Sequence, residues 1–235
     1  MDIHAGKRIK ENYIIKGTRK FIATKMAESL RDYPQGCGSA WFITDRLLAL
    51  KNELKVKNPN VSMTSLFAKL VAEALRKHPL MNSALINNEE FFIYESINMG
   101  VGIGLEDGIM IVVIKEAQDK NIFEISDELQ DYIGKLKTKK LSIEHMMGST
   151  YTISNMGMLG VEQFTPFLNP PETGILGIGI TKKQLVVNDD DSTSIHNMTC
   201  FTNTVNHAAV DGLHGGSYFL TLKEIIENPD AHLGL

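Results

Sequence analysis

Two cysteines, Cys37 and Cys200, are all that the 235 residues contain. They lack metal-type spacing, and one pair cannot build the disulfide framework of a small secreted domain, so a reducing cytoplasm is the expected location. Long apolar runs are missing as well. The longest, IMIVVI from Ile109 to Ile114, falls far short of the ~20 residues that cross a bilayer. The opening MDIHAGKRIKENY has no apolar core of the kind a signal peptide needs, so no membrane partner is expected. Positive charge is not in excess. Lys and Arg number 24 against 28 Asp and Glu, a net charge of -4, which leaves no electrostatic footprint for nucleic acid. Internal repeats and low-complexity segments are absent, and neither G-x-S-x-G nor H-E-x-x-H occurs. What remains is an ordinary globular balance, 43% apolar and 22% charged, long enough for a sizeable core.

Periodicity divides the chain into helices around a sheet. Residues 1–16 are polar, lysine-rich and aperiodic, an N-terminal arm or linker remnant; residues 17–235 read as one domain. In GTRKFIATKMAESLRDYP the residues Phe21, Ile22, Met26 and Leu30 fall on one helical stripe, with Thr18 as a possible cap and Pro34 as a stop. AWFI reads as a strand, TDRLLALKNELK as a capped helix with Leu47, Leu50 and Leu54 in register, and SMTSLFAKLVAEALRKHP as a third helix ending before Pro79. Ile97, Met99, Val101 and Ile103 alternate with small or polar residues, and Asp107-Gly108 turns them into IMIVVI as a hairpin. A fourth helix runs through Ile125, Leu129, Ile133 and Leu136. TYTISNMGMLG, TGILGIGI and KKQLVV read as strands and turns, SIHNMTCFTNTVNH as a long strand, and SYFLTLKEIIENP as a helix ending at Pro229. The expected class is α/β in the α+β sense: a mixed or antiparallel sheet with flanking helices.

The chemistry concentrates in VNHAAVDGLHGG. His207 stands among small residues, with Asp211 at the fourth position after it and Gly212 free to allow a tight approach. An imidazole exchanges its proton near neutrality, so an unobstructed one beside a carboxylate suits general-base work. Asp211 either orients the ring or holds the surrounding loop. A metal site from His207, Asp211 and His214 is disfavoured because Gly212, Gly215 and Gly216 undermine a regular helix there. GVGIGLEDG resembles a dinucleotide fingerprint only superficially, since Leu105 occupies the third glycine position. The lysines of KLKTKK, Lys135 to Lys140, read as a solvated helix end.

NHAAVDG carries the H-x-x-x-D-G signature of acyltransferases that resemble chloramphenicol acetyltransferase. YTISNMGMLGVEQFTPFLNPPETGILGIG, Tyr151 to Gly179, resembles the catalytic domain of dihydrolipoamide acyltransferases, the core subunits of 2-oxoacid dehydrogenase complexes. RKFIATKMAESL, ALRKHPLMNSAL and INMGVGIGLEDGIMIVVIKEA match that family in the same order. The resemblance implies that His207 is the base that takes a thiol proton from coenzyme A or dihydrolipoamide, and that Ser154 donates its hydroxyl to the tetrahedral oxyanion. It implies that Asp211 pairs with Arg19 and, with Gly212, holds the histidine loop, and that Asn155 and Gly157 border the substrate channel. It further implies a homotrimer with the site between subunits, a larger multimeric core, dehydrogenase partners, and a lipoyl group on a separate protein or on a domain missing here. No metal is implied. Two departures stand out. Most relatives read D-H-R where this chain has Asn206-His207-Ala208, and HAAVDGLH is closer to the antibiotic-modifying form. O-acetylation of a small hydroxyl compound, or a core-forming scaffold with little activity, are therefore the alternative expectations.

Overall fold

The computed structural model describes residues 10–87, 89–105 and 108–235. Six strands form one mixed sheet, and their order decides where every candidate residue ends up. In chain order they are β1 (Gln35–Ile43), β4 (Met99–Leu105), β5 (Gly108–Ile114), β6 (Tyr151–Asn155), β7 (Gly174–Val187) and β8 (Thr193–Asn206). Across the sheet they run β1-β8-β7-β6-β4-β5. The β4–β6 and β6–β7 pairs are parallel and the others antiparallel. A separate two-stranded ribbon, β2 (Ser83–Ile86) with β3 (Glu90–Ile93), is absent from the sequence reading, because Phe91, Phe92 and Ile93 are all exposed and set up no alternation.

Among the described residues the α-helices are α1 (Gly17–Asp32), α2 (Asp45–Lys57), α3 (Met63–Lys77), α4 (Ile122–Lys137) and α5 (Gly212–Glu227). Helices α2 to α5 cover one face of the sheet. The expected Leu47, Leu50 and Leu54 of α2 and Ile125, Leu129 and Leu136 of α4 are buried. Helix α3 is capped at both ends of the logic: Ser62 accepts from the Ser65 N–H, and the Ser65 hydroxyl accepts from the Ser62 N–H. The centre of the core is aromatic. Phe42 of β1 and Phe201 of β8 stack at 4.7 Å, Phe67 of α3 meets Phe201 edge-on at 5.4 Å, and Phe219 of α5 lies 5.1 Å from Phe42.

Helix α1 departs from expectation. Its stripe is not buried: Phe21 is 64% and Leu30 58% exposed, and only Ser29 is fully covered. Thr18 lies inside the helix rather than capping it; the cap position is Lys16, with no side-chain cap bond. The helix crosses the sheet on the face opposite α2 to α5. Ile22 and Arg19 approach Gly108 in edge strand β5, while Ser29 accepts from Gln35 of the other edge strand, β1. Sixteen helical residues reach roughly 24 Å, about the width of six strands.

Two further expectations are corrected. TGILGIGI and KKQLVV are one strand, β7, with a register shift between Ile178 and Thr181. The glycines at 212, 215 and 216 do not prevent a helix, because α5 starts at Gly212, its first turn fixed by the Asp211 carboxylate. The β4–β5 hairpin forms as expected; Asp107, and residues 1–9 of the arm, lie outside the described residues. Among the described residues, no helix is long and apolar enough to cross a membrane.

Phe201→Ala would empty the middle of the aromatic cluster. The expected cost is about 3–5 kcal/mol, read as a lower midpoint in urea denaturation; an unchanged midpoint would contradict the packing described here.

Candidate active site

His207 is the first residue after β8. Its position is set by backbone bonds on both sides: the Asn206 N–H donates to the Thr173 carbonyl at 2.9 Å, and the His207 N–H donates to the Pro34 carbonyl at 2.7 Å. The chain then turns sharply. The Asn206 carbonyl accepts from Ala209 and Val210, and the Asn206 side-chain oxygen accepts from the Ala208 N–H at 3.1 Å. That side-chain acceptor is one an aspartate would also supply, so the Asn206 departure keeps the turn. The ring itself is exposed and lies on the backbone of β1. A β-carbon added at Gly36 would stand 2.8 Å from His207 Cδ2, a separation real β-carbons do not show. Gly36 is thus a site residue that the sequence reading missed; the GCG run around Cys37 was its only signal.

Ser154 is on β6, where Tyr151 and Ile153 enter the helix-covered core and Thr152 and Ser154 point to the other face. Both of its cross-strand neighbours are glycines, Gly102 on β4 and Gly177 on β7. The hydroxyl therefore stands in a trough without flanking β-carbons. A β-carbon at Gly102 would lie 3.7 Å from Ser154 Oγ and 3.5 Å from Ile109 Cγ2, and one at Gly177 would meet Phe164 Cζ at 3.2 Å. Ile109 and Phe164 are the walls of this trough.

His207 and Ser154 do not meet within one chain. Ser154 aligns through Gly177 and Thr202 with Ser39 on β1, three strand spacings away, and Gly36 lies three residues farther along β1. Strand geometry makes the separation roughly 17 Å, and the odd residue step puts the two on opposite faces.

Asp211 caps α5. Its carboxylate accepts from the His214 N–H at 3.0 Å and faces His214 Nδ1 at 2.8 Å. The bond from the His214 backbone, reinforced by the ring, holds its carboxyl below the usual carboxylate range. Within one chain the Arg19 guanidinium lies 3.6 Å from the β-carbon position of Gly108, at the far edge of the sheet and away from Asp211. The helix cap holds this end of the loop. Gly212 opens α5 with free space around it. Asn155 and Gly157 organise the turn after β6. Asn155 Oδ1 accepts from the Gly157 N–H at 3.0 Å, its amide donates to Thr64 at 3.3 Å, and Gly157 lies so close to the Gly179 carbonyl that a β-carbon would come within 2.6 Å. Among the described residues, no three His, Cys, Asp or Glu side chains gather closely enough to hold a metal ion.

A buried polar system lies behind β6 and β8. Tyr218 donates to the Tyr151 hydroxyl at 3.2 Å, and Tyr151 donates to Asn203 of β8 at 2.9 Å; burial pushes both phenols up. The carboxyl group of Glu172 is also buried, and burial pushes it up to about 7 against the bonds from Ser149, Thr152 and Asn169. No sequence pattern singled it out, since a lone glutamate after two prolines reads as a turn residue.

Comparison with known proteins converges on one family. The profile of the 2-oxoacid dehydrogenases acyltransferase catalytic domain matches residues 7–233. The chain is 31% identical over 216 residues to the dihydrolipoyllysine-residue acetyltransferase component of the pyruvate dehydrogenase complex of Rickettsia conorii, covering 90% of this chain and 52% of that protein. It is 30% identical over 222 residues to the corresponding component of the acetoin cleaving system of Bacillus subtilis, covering 92% and 55%. The chain thus spans about half the length of the curated relatives it matches. Its structure is similar to that of a probable dihydrolipoamide acetyltransferase from Listeria monocytogenes, with a TM-score of 0.88 and 28% identity over 93% of this chain and 95% of that one. The cubic core of a pyruvate dehydrogenase multienzyme complex, with a TM-score of 0.92 and 23% identity over 99% and 97%, shares the fold. With its mixed sheet, its flanking helices and a profile that spans almost all of its length, the chain belongs to the family of 2-oxoacid dehydrogenase acyltransferase catalytic domains.

Proposed function

We propose that the chain transfers an acyl group between coenzyme A and the thiol of a dihydrolipoyl group, by direct thioester exchange without an acyl-enzyme. The observation that carries this reading is the exposed His207 ring laid on Gly36, pinned through its backbone at Pro34. Among the described residues no side chain bonds to its ring nitrogens, so a nitrogen is open to a substrate proton. The neutral imidazole takes the proton of the attacking thiol, and the thiolate adds to the thioester carbonyl. The oxyanion formed there accepts the Ser154 hydroxyl, a donor preorganised in its glycine-flanked trough. When the intermediate collapses, the second thiol leaves and recovers the proton from the imidazolium. A nucleophilic serine is not needed, in keeping with the missing G-x-S-x-G.

The 17 Å scale of the separation between His207 and Ser154 supports a site assembled from two copies of the chain, as in the homotrimer the resemblance implies. Asn155 and Gly157 border the substrate channel in this scheme, and Asp211 and Gly212 hold the loop that begins at His207; Arg19 supports the β5 edge instead. Lipoyl groups come from a separate protein or a further domain, and dehydrogenase components supply the acyl groups. The exposed ring, and the Cys37 thiol beside Gly36, suit a reducing cytoplasm.

His207→Ala should abolish most transfer from acyl-coenzyme A to free dihydrolipoamide, and retained turnover would overturn the assignment of the base. Ser154→Ala should lower kcat by about a hundred- to a thousand-fold, measured in the same assay. Gly36→Ala should displace the ring and lower kcat while thermal unfolding changes little; equal turnover would show that the contact does not position it. A small hydroxyl compound, tested as acceptor in parallel, should consume no acetyl-coenzyme A.

A further inference from the structure

Ser154 and His207 lie on separate strands, yet one short segment touches the supports of both. Glu172 is only 2% exposed. Its Oε1 accepts from Ser149, just before β6, from Thr152 within β6 at 3.0 Å, and from the Asn169 amide at 2.6 Å. Gly100 of β4 leaves the room for this: a β-carbon there would stand 3.1 Å from Ser149 Cβ and would crowd the Thr152 hydroxyl. Thr152 is two residues from Ser154. The next residue, Thr173, accepts the Asn206 N–H that precedes His207, and its own N–H donates to Ser83. Ala84 of β2 bridges to Glu172 itself. The carboxyl group therefore joins the strand of the oxyanion donor to the turn of the base.

We propose that Glu172 is a positioning residue for Ser154 and His207, holding the junction as an uncharged carboxyl group and loosening it on ionisation. All three donors converge on one oxygen, and Oε2 has no partner among the described residues. A carboxylate divides its charge between both oxygens, so this environment leaves half of that charge buried without a donor. A neutral acid spares that charge, and burial outweighs the three donors to Oε1, which by themselves favour the carboxylate. The charged and titratable groups around it do not supply what is missing. Lys25 of α1 points to the Pro170 carbonyl at 3.5 Å and pairs with Glu28, Lys115 of the segment after β5 donates to the Met147 carbonyl, and the Tyr151 phenol donates to Asn203. His207, beyond Asn206, faces outward. Burial places the Glu172 ionisation at about 7, above the 4.5 of an unperturbed glutamate. A folded-state value raised in this way favours the fold at acid pH, and that contribution is lost as pH rises through about 7.

The kinetic arm of the test rests on the proposed thiol-to-thiol transfer; the spectroscopic arm does not. With acetyl-coenzyme A and dihydrolipoamide, kcat of the wild-type chain should decline by three-fold or more between about pH 7 and about pH 8.5. In Glu172→Gln, which keeps the carbonyl acceptor but cannot ionise, the decline should disappear. In Thr152→Val, which removes one donor to Oε1, the decline should move to higher pH. KM for acetyl-coenzyme A should stay unchanged in both. An alkaline decline identical in wild type and Glu172→Gln, or unmoved in Thr152→Val, would overturn the proposal. The infrared carbonyl band of a buried, protonated carboxyl group should be lost from the wild-type spectrum near neutrality, and the melting temperature should fall as pH rises from about 4.5 to about 7 and level off above it. A band already lost in the ordinary carboxylate range would also overturn it, even if Glu172→Gln fails to fold. Absence of thiol transfer in the wild type, with the band titrating near neutrality, would sink the proposed function and leave the Glu172 charge state standing.

Discussion

The antiparallel pairing of β7 with β8 is the constraint on which the site depends. Both strands are 14 residues long, and their register runs from Gly174 opposite Val205 to Val187 opposite Thr193, with one shift near Ile178. The Val205 end delivers Asn206 and His207 to the edge strand β1. The Gly177 position, three residues into β7, delivers a glycine to the side of Ser154. A slip by one residue would bring Ile178 beside the hydroxyl and turn the histidine to the other face. The buried rings of Phe201 and Phe42, stacked across β8 and β1, make such a slip expensive. Core packing and site geometry are thus one specification.

Much of this arrangement is legible in the sequence. Alternation and helical stripes gave the β4–β5 hairpin, the long β8, and helices α2 to α4, because those elements bury one regular face each. The two motifs around Ser154 and His207 located the chemistry, since short polar residues held among glycines leave a distinct spelling. Legibility ended where partners are distant in sequence or where exposure replaces burial. Helix α1 carries an apolar stripe that this chain does not cover, and the β2–β3 ribbon carries no alternation. Within one chain Asp211 instead caps its own helix, its Oδ1 facing the His214 N–H and ring, a local bond that a search for distant partners passes over. Three glycines did not unmake α5 because a good cap and the buried Tyr218, Leu222, Ile225 and Ile226 farther along outweigh the conformational cost of glycine near a helix start.

Several buried polar groups of this molecule are joined in networks. Tyr218, Tyr151 and Asn203 form a closed chain beneath β8, and Asp45 at the start of α2 anchors Asn197 and His196 of the β7–β8 hairpin. The single-sided bonding of Glu172 and the open ring of His207 depart from that pattern. Both lie at the end of the sheet where β6 and β7 begin and β8 ends.

Gly36, Gly100, Gly102 and Gly177 share a property with a practical consequence. Each contributes by a volume it leaves vacant, under an imidazole, beside a pair of hydroxyls, or along the oxyanion donor. A survey that trims side chains to alanine passes over such positions, since there is nothing to trim, and would credit the chemistry wholly to the polar groups. Surveys that insert a methyl group are the ones that can map these positions on both faces, and homologous sequences will record them as intolerance to growth rather than as retention of any functional group.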